Sequence, residues 1–173
     1  GDQTLETFNV KRDAKSIIPM ILDAKKYNDI EMFASPWSPP AYMKTNGERN
    51  HGGKLKVCYW KRWAEYICRY IEEYRNRGFN VTMLTLQNEP KAVQTWDSCI
   101  FTAEEEKVFL RDYVWPSLTA HGLNDIEIYI WDHNKERVYD RSKKISILAL
   151  DRIDDLIDNG KLPNFIMFVG GRR

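Results

Sequence analysis

Val81-Thr82-Met83-Leu84-Thr85-Leu86-Gln87-Asn88-Glu89-Pro90 begins as an apolar, β-prone run and turns polar over its next three residues. Residues of the first kind fit a buried strand, here Val81 to Gln87. Pro90 has no N–H to give to a ladder, so the strand must end there. The consequence is a carboxylate, Glu89, held at the rim of a sheet. Outward in both directions the same arrangement recurs. Glu31 to Trp37 reads as a strand that ends in Ser35-Pro36-Trp37-Ser38, and Glu127 to Trp131 as one that ends in Trp131-Asp132-His133-Asn134. Asn164 to Val169 is a fourth.

Between these strands the periodicity changes to that of helices. Trp60, Trp63, Ile67, Tyr70, Ile71 and Tyr74 share one face of a helix expected over Tyr59 to Arg77, which Gly78 closes. Thr102-Ala103-Glu104-Glu105 has the form of a capping box, opening a helix that runs toward Trp115 and should bend or end at Pro116. Ser142 to Asn159 reads as a helix stopped by Gly160, and Asp13 to Tyr27 as one with Pro19 in its early turns. The order is αβαβαβαβ. Strands alternating with crossover helices form a parallel sheet, either doubly wound and open or closed as a barrel. No GxGxxG loop follows any strand, which removes the usual sign of a nucleotide-binding open sheet. Polar and aromatic residues at the ends of several strands are how a barrel builds its site. A whole barrel needs about 250 residues, so 173 residues predict one incomplete barrel domain, residues 1–173.

Composition narrows the function. Lys plus Arg number 26 and Asp plus Glu 25, so no field of one sign would attract nucleic acid. No stretch approaches the ~20 apolar residues of a membrane span, and nothing near Gly1 resembles a signal peptide; secreted and cytoplasmic locations both stay open. Three cysteines without CxxC spacing give neither a complete disulfide framework nor a zinc motif. Six Trp and nine Tyr suit a protein that shows flat apolar faces to a ligand such as a sugar.

Glycosidic cleavage needs a carboxylic acid to protonate the departing oxygen, and an amide beside it can bind a sugar hydroxyl. Asn88-Glu89 offers both, although Asn-Glu-Pro by itself is better read as a solvated Glu in a turn. Trp37, among Pro36, Pro39 and Pro40, has restricted backbone and is either a wall of a sugar site or a plug over the core. Trp131, Asp132 and His133 add an indole, a carboxylate and an imidazole for substrate contact. His51 and His121 lie at no useful spacing from His133, so no metal and no cofactor is expected.

Taken together, Ala34-Ser35-Pro36-Trp37-Ser38-Pro39-Pro40, Met43-Lys44-Thr45-Asn46-Gly47, Gln87-Asn88-Glu89-Pro90, Trp96-Asp97-Ser98-Cys99-Ile100-Phe101-Thr102, Trp131-Asp132-His133-Asn134 and Tyr139-Asp140-Arg141 resemble glycoside hydrolase family 30, the glucosylceramidase family. The resemblance implies a fragment of a (β/α)8 TIM barrel running roughly from the second helix to the sixth strand. Glu89 would be the acid/base on the fourth strand and Asn88 its sugar-binding neighbour. Trp37 would line the pocket from the third strand, with Asp132 and His133 at the rim of the fifth. The nucleophile would be a second Glu on the seventh strand, which these residues do not reach. The implied activity is that of a retaining β-glycosidase on a β-linked glucoside, as glycolipid or oligosaccharide, with endo-β-1,6-glucanase and β-xylosidase as neighbours. A carbohydrate-binding remnant without turnover is the alternative of another class, and an unrelated open-sheet binding protein a third.

Overall fold

The computed structural model describes residues 4–134, 137–141 and 144–145, and the backbone of 165–167. Four strands, β1 (Glu31–Ala34), β2 (Asn80–Thr85), β3 (Glu127–Ile130) and β4 (Phe165–Met167), form one sheet in the order β1-β2-β3-β4. Every pairing is parallel. A doubly wound sheet reverses its strand order at a switch point; here each strand is laid outside its predecessor, so the winding proceeds in one sense, as in a barrel. Among the described residues no helix is long and apolar enough to cross a membrane.

The first helix is shorter than Asp13 to Tyr27. A single 3-10 turn, Asp13–Lys15, is followed by α1 (Ile17–Lys25), and Ser16 at φ −142° separates them. Pro19 is the cause: its ring would meet the carbonyl of Lys15 in an unbroken helix, and it has no N–H to offer that carbonyl. The expected strand Glu31 to Trp37 likewise ends at Ala34, because the prolines that follow hold the chain off the ladder.

Helix α2 (Trp60–Asn76) buries Trp60, Trp63, Ala64, Ile67, Cys68, Ile71 and Tyr74, one continuous face. That face packs with Val81 and Leu84 of β2 and Ile128 and Ile130 of β3 into the core. Removing a side chain such as Ile71, fully buried, would cost about 2–5 kcal/mol on truncation to Ala. The capping box forms as read: Glu105 N donates to Thr102 Oγ1 at 3.1 Å, and Thr102 N to Glu105 Oε2 at 2.8 Å. Helix α3 (Ala103–Phe109) does not end at Pro116. It passes through a π-helical turn, Leu110–Val114, into α4 (Trp115–Ala120). The wider turn absorbs the missing Pro116 N–H and gives its ring room, a usual role for a π-bulge. The helix expected over Ser142 to Asn159 lies outside the described residues apart from 144–145.

His121, after α4, bridges to α2. Its Nδ1 lies 2.7 Å from Glu72 Oε1 and its Nε2 2.8 Å from Glu65 Oε2, so both ring nitrogens face carboxylates and both can donate only when the ring is protonated. Partial burial alone would lower its pKa; the bonds to Glu65 and Glu72 outweigh this and raise it. A raised folded pKa means stability that is fully present below the unfolded value of 6.5 and lost as pH rises through the folded pKa. Melting temperatures of the protein and of His121→Gln should therefore differ most below the unfolded value and converge as pH rises into the alkaline range. A gap that stays constant across that range would contradict the bridge.

Candidate active site

Backbone bonds extend the ladders past the strand ends and draw three rim segments together. Asn88 N donates to Pro36 O at 2.9 Å, Glu89 N donates to Asp132 O at 2.7 Å, and Asn88 pairs with Asp132 in a parallel bridge. Buried Gln87 straps them further, its Nε2 donating to Trp37 O at 2.8 Å and to Asn88 O at 2.9 Å. Asn88, Glu89, Asp132 and His133, far apart in sequence, thus lie side by side at the C-terminal end of the sheet, all partly exposed.

Two of these rim residues hold left-handed backbone, Glu89 at φ +43° and Trp131 at φ +59°. A non-glycine residue there costs about 1–3 kcal/mol and persists only where its surroundings hold it. Glu89 is held by the bond from its own N–H to Asp132 and by Ala92 N donating to its carbonyl at 2.8 Å; Trp131 is held by His133 N donating to its carbonyl, also at 2.8 Å. Strain of this kind collects where geometry serves function.

The Glu89 carboxylate accepts from Gln94 Nε2 at 3.3 Å. Asp132 accepts from Ser35 Oγ at 2.7 Å. Burial pushes the Asp132 carboxyl above the usual carboxylate range and the charge of Glu89 adds to this, while Ser35 and His133 oppose it. Trp37 is 46% exposed, so its indole is open to a ligand rather than plugging the core. Trp131 is turned inward, 2% exposed, against the expectation of a sugar-facing ring. Its Nε1 donates to Asn134 O at 2.9 Å, His133 stacks on it with ring centres 4.9 Å apart, and the Arg141 guanidinium lies 5.2 Å from its ring centre. With neighbours on its ring, Trp131 supports the rim from beneath.

Gln94 enters the site unannounced by any sequence signal, whereas Ser35 belongs to the strand-end run Ser35-Pro36-Trp37-Ser38 but has no role of its own assigned there. Gln94 arrives because the loop after β1 clamps the loop after β2: His51 N donates to Gln94 O at 2.7 Å, Ser98 N to Arg49 O at 3.0 Å and Ile100 N to Gly53 O at 2.8 Å. Lys44, fully buried, ties the same loops by donating from Nζ to Ser98 O at 2.5 Å and Arg49 O at 2.9 Å. Arg49 and Asp97 pair across them. The clamp leaves an open cleft with Trp37 and the half-exposed Trp96 among its lining residues. All three cysteines are free thiols, Cys58 exposed, Cys68 and Cys99 buried.

The sequence model of the glycosyl hydrolase family 30 TIM-barrel domain matches residues 1–148. The chain belongs to glycosyl hydrolase family 30. It is 31% identical over 146 residues to the lysosomal acid glucosylceramidase of Mus musculus, covering 78% of this chain and 28% of that protein. With the endo-1,6-beta-D-glucanase neg1 of Aspergillus fumigatus it shares 29% identity over 152 residues, 79% of this chain and 31% of that one. The crystal structure of SrfJ from Salmonella typhimurium matches at TM-score 0.80 and 39% identity over 96% of this chain and 36% of that one. The chain therefore spans under a third of these two curated relatives, at 28% and 31%. Membership of family 30 makes β1 to β4 a run of consecutive strands of a (β/α)8 barrel, with Glu89, Asn88, Trp37 and Asp132 on its C-terminal face, where such barrels carry out chemistry.

Proposed function

We propose that the full protein is a retaining β-glycosidase, glucosylceramidase-like in acting on β-glucosides, and that Glu89 is its acid/base. The observation that carries this reading is the placement of Glu89: a half-buried carboxylate on the C-terminal rim, in left-handed backbone locked to Asp132. As an acid, Glu89 gives its proton to the glycosidic oxygen as the bond to the anomeric carbon breaks; as a base, it then takes a proton from the water that releases the sugar. A second carboxylate, elsewhere in the polypeptide, attacks the anomeric carbon from the opposite face.

Asn88 and Asp132 are placed to hydrogen-bond sugar hydroxyls, contacts that strengthen as positive charge develops on the ring. The exposed indole of Trp37 offers an apolar wall. His133 borders the same face, and Trp131 props it. Endo-β-1,6-glucanase and β-xylosidase action use the same chemistry on other leaving groups. Retention separates this reading from its rivals. Proton NMR of the first-formed sugar released by the full-length protein should show the β-anomer, since two displacements restore the starting configuration. An initial α-anomer would mean inversion, with carboxylates about 6.5–9.5 Å apart rather than about 5 Å. No release at all from β-glucosides, β-1,6-glucans or β-xylosides would favour the non-catalytic remnant.

A further inference from the structure

Beneath the rim lies an ion pair that stability alone does not explain. Glu106, on α3, has no exposed surface, and Arg141, from residues 137–141, is 9% exposed. Arg141 donates to Glu106 Oε2 from Nε at 3.0 Å and from Nη2 at 2.7 Å, and from Nη2 to Phe101 O at 2.5 Å. Glu106 Oε1 is buried with no partner among the described residues. Burial drives the Glu106 carboxyl up to about 7, Arg141 opposing and the charge of Asp132 reinforcing the rise. A buried pair with one carboxylate oxygen unsatisfied gains little over an apolar pair of the same shape. What it does supply is a fixed guanidinium, whose Cζ lies 5.2 Å over the ring centre of Trp131, the residue whose left-handed backbone directly precedes Asp132.

We propose that Arg141 is a positioning residue for Asp132: clamped by Glu106 and the Phe101 carbonyl, it fixes the Trp131 ring and so sets where the Asp132 carboxylate stands beside Ser35. The chain of contacts is continuous. Arg141 sits over Trp131, Trp131 binds Asn134 O through its Nε1 and stacks on His133, and Asp132 lies between these with its carbonyl on Glu89 N and its carboxylate on Ser35 Oγ. Lysine cannot replace this arginine, because a single ammonium has no planar fork to engage Glu106 and Phe101 while also sitting over an indole ring.

This inference rests on the glycosidase reading, and the test separates the two. In the full-length protein, Arg141→Lys, Asp132→Asn and the double variant are assayed on an aryl β-glucoside, with melting temperatures measured alongside. Arg141→Lys should lower kcat by about 10²-fold, the size of loss expected from a displacement of about 1 Å, with a much smaller change in KM. Added to Asp132→Asn, it should cause almost no further loss, because its effect passes through the carboxylate already removed. Losses that multiply in the double variant would assign Arg141 a purely structural role and overturn the proposal, as would unchanged kcat in Arg141→Lys. Should Arg141→Lys not fold, Glu106→Gln, which keeps the carboxylate's shape while removing its charge, is carried through the same cycle with the same opposing outcomes. An inactive wild-type protein would sink the glycosidase reading itself.

Discussion

Glu89→Gln in the full-length protein should abolish most hydrolysis of glycosides with poor leaving groups, a fall of about 10² to 10⁴-fold, while activated aryl glycosides lose far less in the glycosylation step. The asymmetry follows from where the proton goes. An alkoxide leaving group cannot depart unprotonated, and Glu89 is the carboxylate of the β2 rim that would protonate it; a nitrophenolate leaves without help. The substitution keeps the shape of the side chain and its contact to Gln94, which lies 3.3 Å from the carboxylate, so the fold should be unaffected. Initial rates on an alkyl and a dinitrophenyl β-glucoside check this directly. Equal losses on both would argue that Glu89 serves in binding or geometry and not in proton transfer.

Residues 1–173 produced alone should turn over no β-glucoside. On the rim, the carboxylate nearest to Glu89 in the backbone network is Asp132, and it stands beside Glu89 on the neighbouring strand end, its carboxylate accepting from Ser35 and its carbonyl from Glu89 N. A retaining reaction needs a free carboxylate on the opposite face of the sugar. The same fragment should associate. Ile17, Met20, Leu22, Tyr27 and Phe33 are exposed on α1, the turn after it and β1, and β1 pairs only with β2 among the described strands, so an apolar surface and an open strand edge lie together. Size-exclusion chromatography with a fluorogenic β-glucoside assay reads both. A monomer with turnover that disappears in Glu89→Gln would contradict the account and make Asp132 the nucleophile.

The parts of this fold that local chemistry dictates were legible in the sequence. The apolar face of α2 announces itself by spacing, the capping box at Thr102 by its residue types, and the end of β2 by Pro90. The π turn before Pro116 was not legible, since whether a proline ends a helix or is absorbed depends on the packing of Leu110 and Val114 in the core. The site divides in the same way. Asn88, Glu89 and Asp132 could be placed at strand ends because the ladder extends them there. Trp37 left two readings open, and in the folded chain it is 46% exposed and not packed away in the core. Trp131 looked equally suited to sugar contact, but in the folded chain its ring is buried at 2% exposure with Arg141 over it, a tertiary contact that no local pattern encodes. Ser35 follows the end of β1 directly and so was legible by position though not by role, while Gln94 reaches Glu89 through loop packing, which no motif in its own neighbourhood encodes.

The central claim, that Glu89 is the acid/base of a retaining enzyme, is tested most directly by Glu89→Ala in the full-length protein with dinitrophenyl β-glucoside and azide. The activated substrate still forms the glycosyl-enzyme intermediate without acid help. With the carboxylate gone, nothing repels a small anion from the face that water would use, and azide attacks the intermediate without needing a base. The account requires azide to accelerate turnover and the product to be the β-glucosyl azide. An α-glucosyl azide would make Glu89 the nucleophile, and the absence of any azide adduct would contradict its role as acid/base.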